Sequence, residues 1–514
     1  MNSFSEKIYL SLKMPEEDSP ISDHRRILLA LETLGYQNVE IPLHVLRNLY
    51  PFCRDVGFDI TVTVVHREID CVMTHVEPGD TRQHHYGLAV DYGSTTIVMQ
   101  LIDLNSGHII DEVKTVNGQV IYGTDILTRI TYSLEDPAHF DDLQRVTAET
   151  FHSLFSLLTE NNGVEAANCP IMIVSGNTTM IHFLLKLNAW TVFASPYAPV
   201  SNAPGFFWGR ELGMDFHGLV YIIPSASNYV GGDIVSGLLK LDIHRENEIS
   251  LFFDIGTNGE LVVGNKDWMM AGAGAAGPAL EGYISRYGMR AAAGAVDSVK
   301  IDGENLVFTT IGNQKPVGIC GSGIIDLLAQ MRLNGWINIA GHLEPSATSR
   351  IIYLEEERQY AAVYATPEES ANGEALFFTQ TDIQQYLDTK AAAYTMVECL
   401  LEAAGISVND LHHCYLSGSF PAHSDLESAI TIGIFPDLPR EKFKVLNNTS
   451  LDGAGILLLD RSRMEDVRHL SEDIFCVQFA SIPDFLIKMQ AAKFIPHTDM
   501  NRYPSIRDRV EVAP

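Results

Sequence analysis

Two short segments carry the residue types from which phosphate chemistry can be built. Asp91-Tyr92-Gly93-Ser94-Thr95-Thr96 sits between two apolar runs, and Asp254-Ile255-Gly256-Thr257-Asn258-Gly259-Glu260 repeats the arrangement about 160 residues later. A carboxylate at a strand end can hold a hydrated Mg2+, while a glycine turn offers backbone N–H groups and hydroxyls to phosphate oxygens. One such turn alone is more often a plain β-turn. Two of them facing each other across a cleft can clamp the β- and γ-phosphates from both sides. Asp91 and Asp254 are therefore the candidate metal and catalytic carboxylates. Gly93, Ser94, Thr95, Thr96, Gly256, Thr257 and Asn258 are the candidate phosphate donors. Asp233 and Glu260 are candidates for positioning the attacking water, because phosphoryl transfer asks a protein mainly for orientation and charge neutralisation. Helix capping explains Asp233 equally well.

Further candidates lie between and beyond these turns. Asn177 and Thr178 follow a strand-like run and can reach a phosphate. In Leu416-Ser417-Gly418-Ser419-Phe420, Gly418 lets the backbone approach a planar ring or ribose closely, with Ser419 beside it. Lys390, on a long helix ahead of that loop, can lie along the adenine or ribose or simply face solvent. In Gly318-Ile319-Cys320-Gly321-Ser322-Gly323, small residues allow two helices to cross closely, and Cys320 reads as a packing residue.

These groups need elements to hold them. Residues 1–86 read as a small α+β segment with a strand near 7–13, a helix from Ser22 and a strand at 60–65. From there strands alternate with helices, the signature of an α/β fold. Strands are expected at 88–90, 97–104, 109–115, 171–174, 220–223, 251–254, 261–263 and 414–416. Helices are expected at 125–132, 143–158, 180–187, 233–241, 322–333, 382–404 and 426–432. Because the strand–Asp-x-Gly-[Ser/Thr]–strand unit occurs twice, a duplicated domain follows, with lobes at 87–245 and 246–470 and an extension at 471–514.

Composition removes several classes of function. The 514 residues carry 65 acidic and 35 basic side chains, a formal charge of −30, which excludes a nonspecific grip on nucleic acid. Neither a secretion signal nor a bilayer-spanning apolar run is evident, so a cytoplasmic protein without a membrane partner is expected. The seven cysteines are scattered, without a Cys-x-x-Cys pair, so no intrinsic iron–sulfur cluster is expected. His84-His85 and His412-His413 lack metal-ligand spacing and are read as exposed or edge residues. Gly272-Ala273-Gly274-Ala275-Ala276-Gly277 imitates a dinucleotide fingerprint, but Pro278 forbids an immediate helix, and NAD binding is rejected.

Taken together, the two hairpins, Asn228-Tyr229-Val230-Gly231-Gly232-Asp233, the Gly318–Gly323 run and the Gly418 loop resemble the actin, sugar-kinase and heat-shock chaperone (ASKHA) superfamily of ATPases. The wording is closer to one branch, the reductive activators of corrinoid proteins. Leu88-Ala89-Val90-Asp91-Tyr92-Gly93-Ser94-Thr95-Thr96, Tyr122-Gly123-Thr124-Asp125, Gly176-Asn177-Thr178-Thr179-Met180 and Asp254–Glu260 carry that resemblance, with Ala275–Gly282 and Gly318–Gly323. It extends over nearly the whole chain. The resemblance implies duplicated RNase H-like lobes with an interlobe nucleotide cleft, ATP and Mg2+ as ligands, and a corrinoid protein as partner. It further implies that ATP hydrolysis drives Co(II) to Co(I) for a methyltransferase system. Many members carry an iron–sulfur domain. No such motif appears here, so electrons are expected from an external ferredoxin or reductase. A homodimer is compatible with the sequence. The alternatives are an ATP-regulated binding protein without a redox step, or a small-molecule kinase.

Overall fold

The computed structural model describes all residues except 1, 19–20, 257, 276–281, 283, 419–422 and 512–514. The chain forms two compact units, one of residues 1–242 and 449–473, the other of residues 243–448 and 474–514.

The first unit contains two sheets. The smaller comprises β1 (Ser5–Ser11), β2 (Val39–Glu40), β3 (Asp59–His66) and β4 (Cys71–Pro78), in the order β1-β3-β4-β2. Its inner face packs on the helix Asp23–Thr33 through Ile27 and Leu31. The larger comprises β5 (Tyr86–Tyr92), β6 (Thr96–Asp103), β7 (Ile109–Val116), β8 (Ile171–Gly176), β9 (Gly205–Trp208) and β10 (Leu219–Ile222), in the order β7-β6-β5-β8-β10-β9. β5, β6 and β7 form an antiparallel meander, and β8 and β10 run parallel to β5. Leu88, Ala89 and Val90 on β5 are buried, as a central strand requires, while β7 at the edge is largely exposed. The helix Ala138–Asn162 supplies Leu143, Phe151, Leu154 and Leu158 to the core on one face.

In the second unit the main sheet is built from β11 (Ser250–Ile255), β12 (Asn258–Gly264) and β13 (Met269–Ala275), followed much later by three more strands. Between them come β14 (Ala295–Asp302), β15 (Asn305–Thr310) and β16 (Gly318–Ile319) in one three-stranded sheet, and β17 (Ile351–Leu354), β18 (Gln359–Ala365) and β19 (Leu376–Thr379) in another. β20 (His413–Ser417), β21 (Phe443–Val445) and β22 (Phe475–Val477) complete the main sheet, in the order β21-β20-β11-β12-β13-β22. Setting aside the additional edge strands β9 and β22, each main sheet reads 3-2-1-4-5 when numbered from its first strand, with the first three strands antiparallel and the last two parallel to the first. The chain is an α/β protein with a duplicated ASKHA-type fold. Residues 272–275 form part of a strand rather than the strand-to-helix turn that a dinucleotide fingerprint needs.

Two differences from expectation stand out. Residues 449–473, expected with the second lobe up to 470 and with the extension beyond it, pack on the first unit. Their helix Thr449–Leu459 crosses the helix Gly232–Leu241 so closely that a Cβ on Gly453 would lie 1.9 Å from the Ser236 carbonyl oxygen. A run of Gly, Ala and Ser makes that approach affordable, and such a run has weak helical periodicity in sequence. His85 is buried rather than at an edge, with its ring 3.0 Å from Ser5 Oγ, and burial pushes its pKa down to about 4. Six of the cysteines are buried. Among the described residues no helix is long and apolar enough to cross a membrane.

Candidate functional site

In the first unit the sheet delivers Asp91 to the carboxyl end of β5, opposite Val98 on β6 and beside Ser175 on the parallel strand β8. The turn after it is held from behind by Asn117, whose Nδ2 donates to the Gly93 carbonyl at 2.8 Å while its N–H donates to the Thr95 carbonyl at 2.8 Å. With the backbone fixed in this way, the hydroxyls of Ser94, Thr95 and Thr96 make no hydrogen bond among the described residues. Beside the turn, Asn177 caps the helix Thr178–Leu184 with Oδ1, which accepts from Met180 N–H at 3.0 Å. Its amide nitrogen is left over as a donor.

Asp91 is anchored by the returning helix. Ser450 Oγ donates to Asp91 Oδ1 at 2.8 Å and lies 2.9 Å from Ser175 Oγ, which reaches the Gly232 carbonyl at 3.1 Å. Ser236 Oγ in turn donates to the Ser450 carbonyl at 2.6 Å. Ser450 has one proton and gives it to Asp91, so the single Ser175 proton has two acceptors within reach, the Gly232 carbonyl and Ser450 Oγ. Gly232 opens the helix that carries Asp233, so the same network fixes both carboxylates. Asp233 Oδ1 accepts from Ile234 N–H at 2.9 Å. Burial, and secondarily the negative charge of Asp91, push the Asp233 carboxyl up to about 7.

The second unit repeats the frame. Asp254 ends β11, opposite Glu260 on β12 and beside Ser417 on the parallel strand β20. Gly256 N–H closes the turn onto the Asn258 carbonyl at 2.8 Å. Gly418 has φ +103°, and a Cβ there would lie 2.2 Å from the Ile255 carbonyl oxygen and 3.0 Å from Asp254 Oδ1. Only glycine fits such a position. Thr257 and Ser419 lie outside the described residues.

The structure thus brings together Asp91, Gly93, Ser94, Thr95, Thr96, Asn177 and Asp233 in one unit, and Asp254, Gly256, Asn258, Glu260 and Gly418 in the other. Two expected ligand residues have other tasks. Thr178 is buried and its hydroxyl donates to the Ser227 carbonyl at 2.9 Å, which ties down the loop before Asp233. Lys390 is fully buried. Its Nζ donates to the carbonyls of Ala492 at 2.5 Å, Phe494 at 2.7 Å and Pro496, so all three ammonium protons clasp the C-terminal segment rather than a nucleotide. Ser175, Ser450 and Asn117, which hold the Asp91 carboxylate and its turn in place, are positions that the sequence reading missed. The recurrence of Ser-Gly at Ser175-Gly176 and Ser417-Gly418 was the signal for the first.

Comparison with known proteins follows the same frame. Residues 1–83 match the RACo linker region, residues 86–246 the RACo middle region, and residues 248–507 the C-terminal ASKHA domain of RACo. The chain belongs to the RACo family. A solved RACo-type structure, a reductive activator for a corrinoid, iron–sulfur protein, superposes with a TM-score of 0.87 at 33% identity, covering 98% of this chain and 81% of that one. The corrinoid activation enzyme RamQ of Eubacterium limosum is 28% identical over 409 residues, 78% of this chain and 69% of RamQ. A [Co(II) methylated amine-specific corrinoid protein] reductase of Methanosarcina barkeri is 25% identical over 421 residues, 76% of this chain and 73% of the reductase. The RACo C-terminal region includes Ser450, so the residue that steadies Asp91 belongs in sequence to that region and in space to the first unit, together with Asp91.

Proposed function

We propose that this protein is an ATP-dependent reductive activator of a corrinoid protein. The observation that carries the reading is the match to a reductive activator across nearly the whole chain, at a TM-score of 0.87. The donor set suits a magnesium nucleotide. Asp233 makes no ion pair among the described residues and faces the charge of Asp91, an all-oxygen, anionic pair of the kind that hard divalent cations prefer. Asp91, and Asp254 in the second unit, would hold Mg2+ largely through water, and the ion would offset the charge of the phosphate oxygens when bound.

The chain's own residues then divide the work. Ser94, Thr95, Thr96 and Asn177 donate to phosphate oxygens, as Asn258 and the backbone at Gly256 do in the second unit. Asp233, with a carboxyl poised near neutrality, takes or holds the proton of the water that attacks the terminal phosphate. Glu260 is the counterpart candidate beside Asp254. ATP and water become ADP and phosphate, and one electron from a separate low-potential iron–sulfur or flavin protein reduces the partner's cobalt from Co(II) to Co(I). A cytoplasmic setting belongs to this reading.

The test is spectroscopic. The purified protein, Mg-ATP, a low-potential electron donor and an oxidised corrinoid protein are mixed anaerobically while the cobalt spectrum is followed. Co(I) that forms only with ATP supports the reading. Partner binding with no Co(I), even with donor in excess, would favour an ATP-regulated binding protein and overturn it.

A further inference from the structure

Away from the nucleotide residues, the smaller sheet of the first unit sets a cysteine, a histidine and a glutamate in line. Antiparallel pairing puts Cys71 opposite His66 across the hairpin of β3 and β4, and Glu6 of β1 opposite Val64, two residues before His66. Residues two apart on a strand share a face, so all three project from the side on which Ile8, Val64 and Met73 pack. The turn of the hairpin is clamped. The Arg67 guanidinium meets both Asp70 carboxylate oxygens at 2.6 Å, and its N–H donates to the Asp70 carbonyl at 2.8 Å.

Register and clamp hold Cys71 Sγ 3.2 Å from His66 Nδ1, and His66 Nε2 3.1 Å from Glu6 Oε1. Tyr36 Oη donates to the other Glu6 oxygen and fixes the carboxylate in turn. A nucleophile bonded to a base, with the base bonded to an orienting carboxylate, is the arrangement that activates a thiol. A cysteine that only packs needs none of it. Cys53 and Cys414 are fully enclosed at 0% exposure, whereas Cys71 keeps 8%, an opening suited to a small oxidant. We propose that Cys71 is a peroxide-reactive thiol, with His66 as its base and Glu6 as the positioning residue that orients the imidazole. The site stands independently of the ATP reading.

The hydrogen bond from His66, foremost, holds the Glu6 carboxyl down to about 2, so Glu6 is ionised and can only accept. A neutral imidazole then carries its proton on Nε2 and turns the Nδ1 lone pair to the thiol. Burial pushes the Cys71 thiol up; Arg461 and Arg67 act against that, and Asp70 and Glu6 act with it. The resting sulfur is therefore a thiol, and the thiolate arises by proton transfer to His66 as the sulfur attacks. One peroxide oxygen bonds to sulfur and the O–O bond breaks. Sulfur gives up two electrons, which leave with the departing oxygen as hydroxide. The proton held on His66 Nδ1 follows and makes water, so Cys–SH and H2O2 become Cys–SOH and H2O. Glu6 balances the imidazolium charge in between, and the product is the reversible first stage of cysteine oxidation.

The full-length protein, treated with hydrogen peroxide in native buffer containing dimedone to trap sulfenic acid, provides the test, with the adducts mapped over time by peptide mass spectrometry. Cys71 should be labelled about tenfold faster than any other cysteine, or more. From about pH 7 to about pH 9 its rate should change less than roughly threefold, whereas an unassisted thiol below its pKa gains about tenfold per pH unit. The wild type alone thus reports the base. His66→Gln should slow labelling roughly 10²-fold and bring back the steep pH dependence, while Glu6→Gln should slow it about tenfold and keep the shallow one. A thermal melt identifies the folded variants. Cys71 labelled no faster than the other cysteines, a wild-type rate that climbs with pH like an unassisted thiol's, or a folded His66→Gln variant with the wild-type rate would overturn the inference.

Discussion

The two main sheets share the order of five strands, apart from the added edge strands β9 and β22, and place a carboxylate at the same point, yet they support it differently. Asp91 and Asp254 each end a first strand, and each lies beside a serine, Ser175 or Ser417, that precedes a glycine. In the first unit a second carboxylate arrives from a helix, Asp233, and a serine from a distant helix, Ser450, fixes the first one. In the second unit the accompanying carboxylate, Glu260, comes from the hairpin itself, where the first unit has Val98. A duplicated frame has thus kept its anchor and changed its escort. The helix-borne pair is tuned by burial and mutual repulsion, whereas the hairpin-borne pair is fixed by strand register.

If both anchors serve ATP, the largest effect comes from removing either. Asp91→Ala and Asp254→Ala should each lower ATP hydrolysis roughly 10²–10³-fold, the usual scale for losing one preorganised charge at a phosphate, with little change in melting temperature. Phosphate release in parallel with a thermal melt is the measurement. If one variant keeps full activity, the two halves are not functionally equivalent and the anchor in that half is structural.

The glycines next to the two serines offer a finer comparison. A Cβ on Gly176 would come 2.9 Å from the Tyr92 carbonyl oxygen, while one on Gly418 would come 2.2 Å from that of Ile255 at a φ of +103°. Gly418→Ala should therefore cost about 2–4 kcal/mol and Gly176→Ala about 1–2 kcal/mol, since only the former combines overpacking with a left-handed backbone. Denaturant midpoints will rank them, and the reverse order would mean that the Gly418 loop yields more readily than β8 does.

The pH dependence separates the two carboxylate pairs. Asp233 binds its proton more tightly folded than unfolded, because its pKa rises from the usual carboxylate range to about 7. The folded state then holds more protons between about pH 4 and pH 7, so this group's favourable contribution is complete below that window and lost as pH rises through 7. Asp233→Asn has no charge to desolvate. In metal-free protein it should melt a few degrees above the wild type at pH 8, with the gap closing below pH 5. Asp91→Asn should produce part of the same gain by relieving the repulsion. A gap that does not vary with pH would mean that Asp233 ionises normally.

How much of this was legible in the sequence depends on the range of the interaction. The strand–turn–strand units around Asp91 and Asp254 are local, with period-2 apolar runs on either side of a glycine turn, and they led directly to the duplicated fold. The helix Leu426–Ile432 was legible to its ends because Asp425 caps it and Gly433 closes it. Lys390 was misjudged because nothing in a helical lysine's neighbours reveals three carbonyls arriving from residues 492–496, about a hundred positions away. Ser450 was overlooked for the same reason. Its helix is rich in glycine, alanine and leucine with no polar face, and its partner Asp91 lies 359 positions earlier. Side chains whose role is set by a crossing of distant elements leave no periodic trace.

Ser450 therefore gives the smallest and most diagnostic effect. It touches no phosphate in the proposed scheme and acts through Asp91, as a positioning residue. Ser450→Ala removes one hydrogen bond to a carboxylate and should cost about 1–2 kcal/mol of stability. Its functional signature is a split: apparent Mg2+ affinity should fall roughly tenfold, as happens when a ligand loses its supporting partner, while kcat at saturating Mg2+ changes little. The second unit supplies the control, because Ser417 Oγ donates to the Asn447 carbonyl at 3.2 Å. Ser417→Ala should then move Mg2+ affinity less than Ser450→Ala does. Equal shifts in the two variants would mean that the escort of Asp91 is no more specialised than that of Asp254, and the distinction drawn between the two halves would fail.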